Sequence, residues 1–304
     1  MHCSRCSTDA AIELRYEGTS LCSGCFTKLI ETRLARHSRQ HGLVRNGDSI
    51  AVAYSGGKDS GMVLNWLASR RSKVRDLSLT AFTVTRGDPY SKDSLKVARS
   101  VCESLSIPHQ EFRFRDFYSI DFTDINRLKT TMGLNACAIC GVMRRKIWDA
   151  AAKELGASKL ATGHNLTDEA TSYLMNFASG DMRAMSALGP VSPATEGLVP
   201  KIKPIRCVPE AEVRAYMDAK GFAYWAPVCP CRHGSLRESY EDVLESMLTK
   251  KPGAEFTIVQ TGDALGNILR SSKPVSLHNC PRCGQPCSGR VCRTCQYLAE
   301  FAKL

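Results

Sequence analysis

IAVAYSGGKDSGMVL, residues 50–64, decides how the chain is read. An apolar run, IAVAY, breaks into Ser55-Gly56-Gly57-Lys58-Asp59-Ser60. Apolar residues then return at helical spacing in Met62, Val63, Trp66 and Leu67. The pattern predicts a buried strand, a tight loop and a helix. Two adjacent glycines let the backbone turn sharply and approach an anion closely. The new helix presents unpaired N–H groups and its positive dipole end to that anion. Lys58 adds a mobile cation, and Ser55 and Ser60 add hydroxyls. The loop is not the G-x-x-x-x-G-K-[ST] of the common nucleotidases. The bland alternative is a Gly/Ser turn between any strand and helix.

The six residues SGGKDS are similar to the loop of the PP-loop ATP pyrophosphatases, which split ATP into AMP and pyrophosphate. Downstream the elements alternate. Residues 77–84 (LSLTAFTV) read as a second buried strand and 85–89 as a turn; 91–105 are helical in period, and 109–114 alternate as a third strand. Residues 160–164 (LATGH) form another short strand, running into Gly163-His164-Asn165-Leu166-Thr167-Asp168-Glu169. Such alternation predicts parallel βαβ units, hence an α/β fold with a doubly wound parallel sheet. Ligands in such sheets sit beyond the carboxyl ends of the strands, so residues 82–84 neighbour the nucleotide. His164 and Asp168 are four apart and are expected on one side of a helix opening there. Asp168 suits Mg²⁺ at the ATP phosphates; a helix cap is the competing reading.

With 304 residues the chain exceeds one small domain and suits a large core with additions. The apolar stretches are too short to cross a bilayer and the start, MHCSRCSTDA, lacks a signal-peptide core, so a soluble cytoplasmic protein is expected. Lys plus Arg number 41 against 30 Asp plus Glu, a net charge of +11. The cations cluster at Arg33/Arg36/Arg39, Arg70/Arg71/Lys73/Arg75, Arg144/Arg145/Lys146 and Lys201/Lys203/Arg206. Each reads as a solvated face or, because the clusters bracket the loop in sequence, as RNA contact.

Fifteen cysteines in such a chain point to metal rather than disulfides. Cys3-x-x-Cys6, fifteen residues, then Cys22-x-x-Cys25 is a closed four-thiolate zinc pattern. Cys280-x-x-Cys283, eight residues, then Cys292-x-x-Cys295 is a compact second one, with Cys287 left over. The division expected is a zinc finger over 1–28, a linker helix over 29–43, a catalytic domain over 44–275 and a zinc ribbon over 276–304. Cys137-x-x-Cys140 has no neighbouring C-x-x-C to close a tetrahedron. A helix is expected to start just after Cys140, which leaves both thiols at its favourable end. The cysteines next downstream are Cys207, Cys229 and Cys231.

The ordered set of N-terminal finger, SGGKDS, C-x-x-C-G-x-x-R-R, G-H-N-x-x-D-E, Cys-Pro and C-terminal ribbon resembles the TtcA/TtuA family of tRNA 2-thiolation enzymes, in its uridine-modifying branch. The cytidine-modifying branch, which lacks the fingers, and other PP-loop RNA-modifying enzymes are the alternatives. The resemblance implies an adenine nucleotide alpha hydrolase-like fold, ATP and Mg²⁺, a 4Fe–4S cluster on three cysteines, and two Zn²⁺. ATP adenylates the C2 oxygen of a tRNA uridine, and a sulfur nucleophile displaces AMP. By motif the cluster ligands are Cys137, Cys140 and Cys229, with Cys231 a rival for the third place. Ser55, Gly57, Lys58, Asp59 and Ser60 hold phosphate and metal; Ala53 and Thr83 approach the nucleoside; Gly163 and Asp168 complete the ATP side; Arg144 meets the phosphates. The expected partners are tRNA, a ubiquitin-like thiocarboxylate carrier or free sulfide, and a second copy in a homodimer. The wobble and T-loop uridines are both used in this branch; C-G-V-x-R-R leans toward the wobble type.

Overall fold

The computed structural model describes residues 2–192, 195–229, 231–272 and 277–303. The boundary expected between 275 and 276, and Pro230 of the Cys-Pro motif, lie outside the described residues. The chain opens with an antiparallel hairpin, β1 (Ile12–Leu14) and β2 (Thr19–Leu21), followed by α1 (Ser23–His41). Gly42 stops α1 in the left-handed region at φ 60°, donating to the Arg39 and Ser38 carbonyls. One stripe of α1, Phe26, Ile30, Leu34 and His37, is buried. It shares a core with Leu14 and Leu21 of the hairpin and Ile50 beyond. Each such apolar side chain contributes about 1.5–3 kcal/mol on burial. The N-terminal module is thereby fastened to the main body.

The main body runs β3 (Ser49–Ala53), α2 (Lys58–Ala68), β4 (Ser78–Thr85), α3 (Pro89–Ser104), β5 (His109–Arg113), α4 (Phe114–Tyr118), α5 (Phe122–Met132), α6 (Ala136–Glu154), β6 (Lys159–Ala161), α7 (Leu166–Ala178), α8 (Met182–Ala187), β7 (Lys201–Ile202) and α9 (Glu210–Ala219). The strands form one sheet in the order β5-β4-β3-β6-β7, every neighbouring pair parallel. Alternation along β3 explains its unbroken apolar sequence. Ile50 and Val52 enter a core with Leu34 of α1, Met62 of α2, Ala98 of α3 and Val213 of α9. Ala51 and Ala53 enter the opposite core with Leu128 of α5 and Ile139 and Met143 of α6. The sheet is doubly wound, and its order reverses between β3 and β6, the switch point where such sheets hold ligands.

Two further helices, α10 (Leu236–Lys250) and α11 (Ala254–Ser272), pack on α7 around Leu166, Tyr173, Leu244 and Val259. A second small hairpin, β8 (His278–Asn279) and β9 (Pro286–Cys287), leads to α12 (Arg293–Phe301). Tyr297 of α12 is buried in the α5–α6 core. Among the described residues no helix is long and apolar enough to cross a membrane.

Two expectations are corrected. The helix carrying Cys137 and Cys140 begins at Ala136, not after Cys140, because the Asn135 side chain caps it by accepting from the Cys137 N–H. His164 precedes α7 altogether, so it does not share a helical face with Asp168. It turns instead to Trp148 of α6, ring centroids 6.5 Å apart.

Candidate active site

The glycine-rich turn joins β3 to α2, with Gly57 at the N-cap. Gly56 has φ 80°, and a Cβ there would run into the Ser94 carbonyl. The Ser55 and Ser60 hydroxyls lie 3.0 Å apart, and the Ser55 N–H donates to Ser60 Oγ at 3.1 Å. Gly163, just past β6, presses on this turn from the next strand. A Cβ on Gly163 would sit 2.7 Å from Ser60 N and 2.9 Å from Ser60 Cα. Thr83 of β4 is buried, its hydroxyl donating to the Tyr54 carbonyl at 2.7 Å and facing His109 Nε2 at 2.8 Å. Ala53, Thr83, Gly163 and the Ser55–Ser60 turn therefore share the carboxyl edge of the sheet.

A chain of charges crosses this edge. Lys58 Nζ donates to Asp59 at 2.9 Å and to Glu210 of α9 at 2.8 Å. The Asn165 amide donates to Asp59 at 2.9 Å. Asn165 and Asp168 form a capping box at the start of α7, and Arg237 of α10 donates to the Asp168 carboxylate at 2.7 Å. Asp168 is thus a cap and a pair partner, and Asn165 links it to Asp59. Burial raises Asp59 above the ordinary carboxylate value against the pull of Lys58, and Asp168 adds to the rise. Burial likewise raises Asp168 against Arg237. Two carboxylates disfavoured as anions at one edge are a donor set that a hard divalent cation relieves. For Lys58, burial disfavours the charge, but Asp59 and Glu210 outweigh it and hold the ammonium charged.

The thiols gather at the same edge. Helices α2 and α6 lie on opposite faces of the sheet, yet both N-termini open on its carboxyl edge. Arg86, in the turn after β4, directs Nη1 to Cys229 Sγ at 3.4 Å and to Cys140 Sγ at 3.9 Å. The Cys137 thiol donates to the Cys231 carbonyl at 2.8 Å. The segment carrying Cys229 is tied back to the glycine-rich turn: Trp225 N–H donates to the Gly56 carbonyl at 2.7 Å, and the Tyr90 hydroxyl donates to the Pro227 carbonyl at 3.1 Å. Cys137, Cys140 and Cys229 converge with soft donors and a cation beside them, which fits an anionic iron–sulfur group. Cys231 also lies nearby, its thiol pushed up to about 11 by burial and by the neighbouring thiolates. Arg144 extends from α6 over the Trp148 ring, 5.5 Å from its centroid.

The terminal modules have different geometry. Each set, Cys3/Cys6/Cys22/Cys25 and Cys280/Cys283/Cys292/Cys295, has all four sulfurs within 4.8 Å of one another. The sulfur spacings include 3.6 Å for Cys6–Cys22, 3.7 Å for Cys6–Cys25 and 3.8 Å for Cys283–Cys292. Sulfurs about 2.3 Å from a central zinc stand about 3.8 Å apart at tetrahedral angles, so the geometry fits a closed metal site. Lys146 of α6 reaches the C-terminal set, its Nζ 2.7 Å from Cys283 Sγ and 3.1 Å from Cys292 Sγ.

Several basic clusters are spent inside the fold. Arg33 pairs with Glu212 at 2.7 Å, Lys201 with Asp149 at 2.7 Å, and Lys203 with Glu169 at 2.7 Å. Arg206 is 3% exposed and bound to Glu169 and Asp263. The Arg70–Arg75 group follows the C-terminus of α2, at the sheet edge opposite the glycine-rich turn. Arg36, Arg39, Arg144, Arg145, Arg282, Arg290 and Arg293 remain exposed. Sequence reasoning missed Arg86, Glu210, Arg237 and Trp225 as site residues. Arg86 sits in a stretch legible only as a turn, and the other three come from elements far along the chain. Asn165 lies within G-H-N-x-x-D-E, a motif whose sequence alone does not reveal its bond to Asp59.

Residues 27–226 match the family model of the PP-loop domain. Residues 2–27 match that of the N-terminal LIM domain of 2-thiouridine synthetase TtuA. The chain is 31% identical to the tRNA 2-thiolation protein NcsA of Haloferax volcanii, covering 99% of both chains. It is 30% identical to the tRNA-5-methyluridine(54) 2-sulfurtransferase of Thermus thermophilus, over 97% of this chain and 90% of that protein. The solved U34-tRNA thiolase NcsA from Methanococcus maripaludis, with its 4Fe–4S cluster, superposes with a TM-score of 0.86 at 28% identity, over 100% of this chain and 98% of that one.

Proposed function

This chain belongs to the PP-loop domain family and, within it, to the TtuA/NcsA-type tRNA 2-thiolation enzymes, and we propose that it makes 2-thiouridine by ATP-dependent activation of the uridine C2 oxygen. In the first step the C2 oxygen attacks the α-phosphorus of ATP; an O–P bond forms and pyrophosphate leaves. In the second a hydrosulfide-level nucleophile attacks C2; the C–S bond forms, the C–O bond breaks, AMP departs with the oxygen, and a proton is released.

The Ser55–Ser60 turn and the N-terminus of α2 cradle the phosphates. Lys58, released from Asp59 and Glu210, balances charge developing on the leaving pyrophosphate. Asp59 and Asp168 would hold Mg²⁺, which neutralises phosphate charge. Ala53 and Thr83 line the nucleoside side, and Arg144 at the cleft mouth meets phosphate. Cys137, Cys140 and Cys229 would hold the 4Fe–4S cluster, which supplies ionised, oriented sulfur. The two four-cysteine modules, 1–28 and 276–304, would hold zinc and flank a catalytic domain over 44–275. Sulfur enters as free sulfide or from a thiocarboxylate carrier protein, and the enzyme works in the cytoplasm as a homodimer.

One observation carries the reading. The segment from Trp225 to Cys229 bonds the phosphate turn at one end and at the other meets Arg86, whose guanidinium also reaches Cys140. An activated carbonyl and a sulfur donor so arranged share one cleft, and orientation of that kind removes much of the entropic barrier. The match to a 2-thiouridine synthetase N-terminal module supports uridine over the cytidine alternative.

The test is an anaerobic reaction of iron-reconstituted protein with tRNA, Mg-ATP and sulfide. AMP, pyrophosphate and 2-thiouridine are expected together, and mass spectrometry maps the nucleoside to position 34 or 54. AMP release without a thiolated nucleoside, or thiolation without ATP, would overturn the proposal.

A further inference from the structure

Arg86 is fixed more firmly than any turn residue needs. Its side chain is 10% exposed and forks onto Asp88, Nε to Oδ1 at 3.1 Å and Nη2 to Oδ2 at 2.8 Å. Asp88 is itself buried, and the guanidinium lies over the Phe122 ring, 5.0 Å from its centroid, with Tyr90 at 5.9 Å. A guanidinium has five N–H donors in a rigid fork. Asp88 takes one side of that fork. The hydrogens on Nη1 are left for Cys229 at 3.4 Å and Cys140 at 3.9 Å.

That division of donors matters because the two cysteines reach this point from unrelated parts of the chain. Cys140 is on α6 and Cys229 lies in the irregular stretch before α10. The guanidinium touches both. A buried cation with one carboxylate partner also favours anions at its free side. We infer that Arg86 is a positioning residue of the sulfur site, clamping Cys229 beside Cys140 and supplying a fixed positive charge to the iron–sulfur group those thiolates hold. The inference rests on the proposed cluster ligation by Cys137, Cys140 and Cys229, and adds the residue that assembles it.

Clamp and charge are separable by substitution. Arg86→Met removes both. Arg86→Lys keeps the charge but has no fork to span Asp88 and the thiols. The protein is purified and reconstituted anaerobically with iron and sulfide. Iron and zinc per chain, melting temperature and the midpoint potential of the bound cluster are then measured. Arg86→Met is expected to load at least threefold less iron than wild type with zinc content unchanged. The cluster that does load shifts about tenfold toward its oxidised form, about 59 mV for a one-electron couple, because a nearby positive charge no longer favours the added electron. Arg86→Lys is expected to lose loading in the same way while its potential stays within threefold of wild type. If Arg86→Met loses zinc and melts early, Arg86→Lys alone decides the matter. Reduced iron at full zinc content and normal melting supports the clamp. Full iron loading and an unmoved potential in either folded variant overturn it, as does iron lost only in proportion to zinc. Wild-type protein that takes up no iron at all would instead defeat the cluster assignment itself.

Discussion

Gly163→Ala tests the phosphate turn at its tightest point. Glycine's special dihedrals are not at issue here, since Gly163 is not at positive φ. The objection is steric: the new methyl would stand 2.7 Å from Ser60 N, 2.9 Å from Ser60 Cα and 3.0 Å from the Asp59 carbonyl carbon. All three are backbone atoms, so no side chain can swing aside. Ordinary contact is restored only if the turn and the end of β6 part by about 0.7 Å. Overpacking of this kind costs about 1–3 kcal/mol. Domains commonly hold about 5–15 kcal/mol, so the variant folds with a modestly lower melting temperature. Catalysis suffers more, because a displacement approaching 1 Å costs roughly 100-fold, about 2.7 kcal/mol of barrier. The assay is AMP formation under steady-state conditions, with kcat/KM for ATP as the readout and iron content as a check on the thiol site. Gly24→Ala is the control, since a Cβ there meets nothing within 4 Å. If Gly163→Ala matched wild type in kcat/KM and melting temperature, close packing of β6 on the turn would not be what shapes the ATP site.

Lys58→Met should reduce AMP formation at least 100-fold while tRNA binding stays measurable by filter retention, since the charge it supplies acts on the phosphates. Asn165→Ala removes the amide that joins Asp59 to Asp168, and should raise the Mg²⁺ concentration needed for half-maximal activity severalfold. His37→Gln should flatten the acid side of the stability curve. His37 is 8% exposed and lowered to about 4 by burial and then by His41, so the fold keeps it neutral while the unfolded chain protonates below about 6.5. Its contribution is full above that value and is lost as pH falls toward 4, by at most roughly 3 kcal/mol, which urea midpoints at pH 7 and 4.5 will measure. Arg144→Gln with Arg145→Gln should lower the salt slope of tRNA binding by about one to two. Lys203→Gln should lower stability and leave that slope alone, because Lys203 pairs internally with Glu169.

Much of the site was legible because its chemistry is local. The glycine turn needs adjacent residues, and each C-x-x-C knuckle needs two thiols three positions apart. Those patterns appear as read, from Ser55–Ser60 at the head of α2 to the two four-thiol sets. The start of α6 differs from the sequence expectation because Asn135, a residue type suited to capping, opens the helix ahead of both thiols. The basic clusters divide for another reason. A run of Lys and Arg looks the same in sequence whether it faces phosphate or a buried carboxylate, and the carboxylates that claim Lys203 and Arg206 lie 34 or more positions away.

By itself the sequence determined the strand–turn–helix with its glycine-rich turn, the parallel alternation around it, and the spacing of the thiols. These depend on short-range spacing and on side-chain period, which a chain carries whatever its tertiary fold. Only the folded molecule decided which charges are used up, which meet, and that α2 and α6, on opposite faces of one sheet, bring Lys58 and Cys140 to the same edge. Packing sets those encounters: two cores of opposite face fix the helices, and with them Glu210 on Lys58 and Arg86 between Cys140 and Cys229.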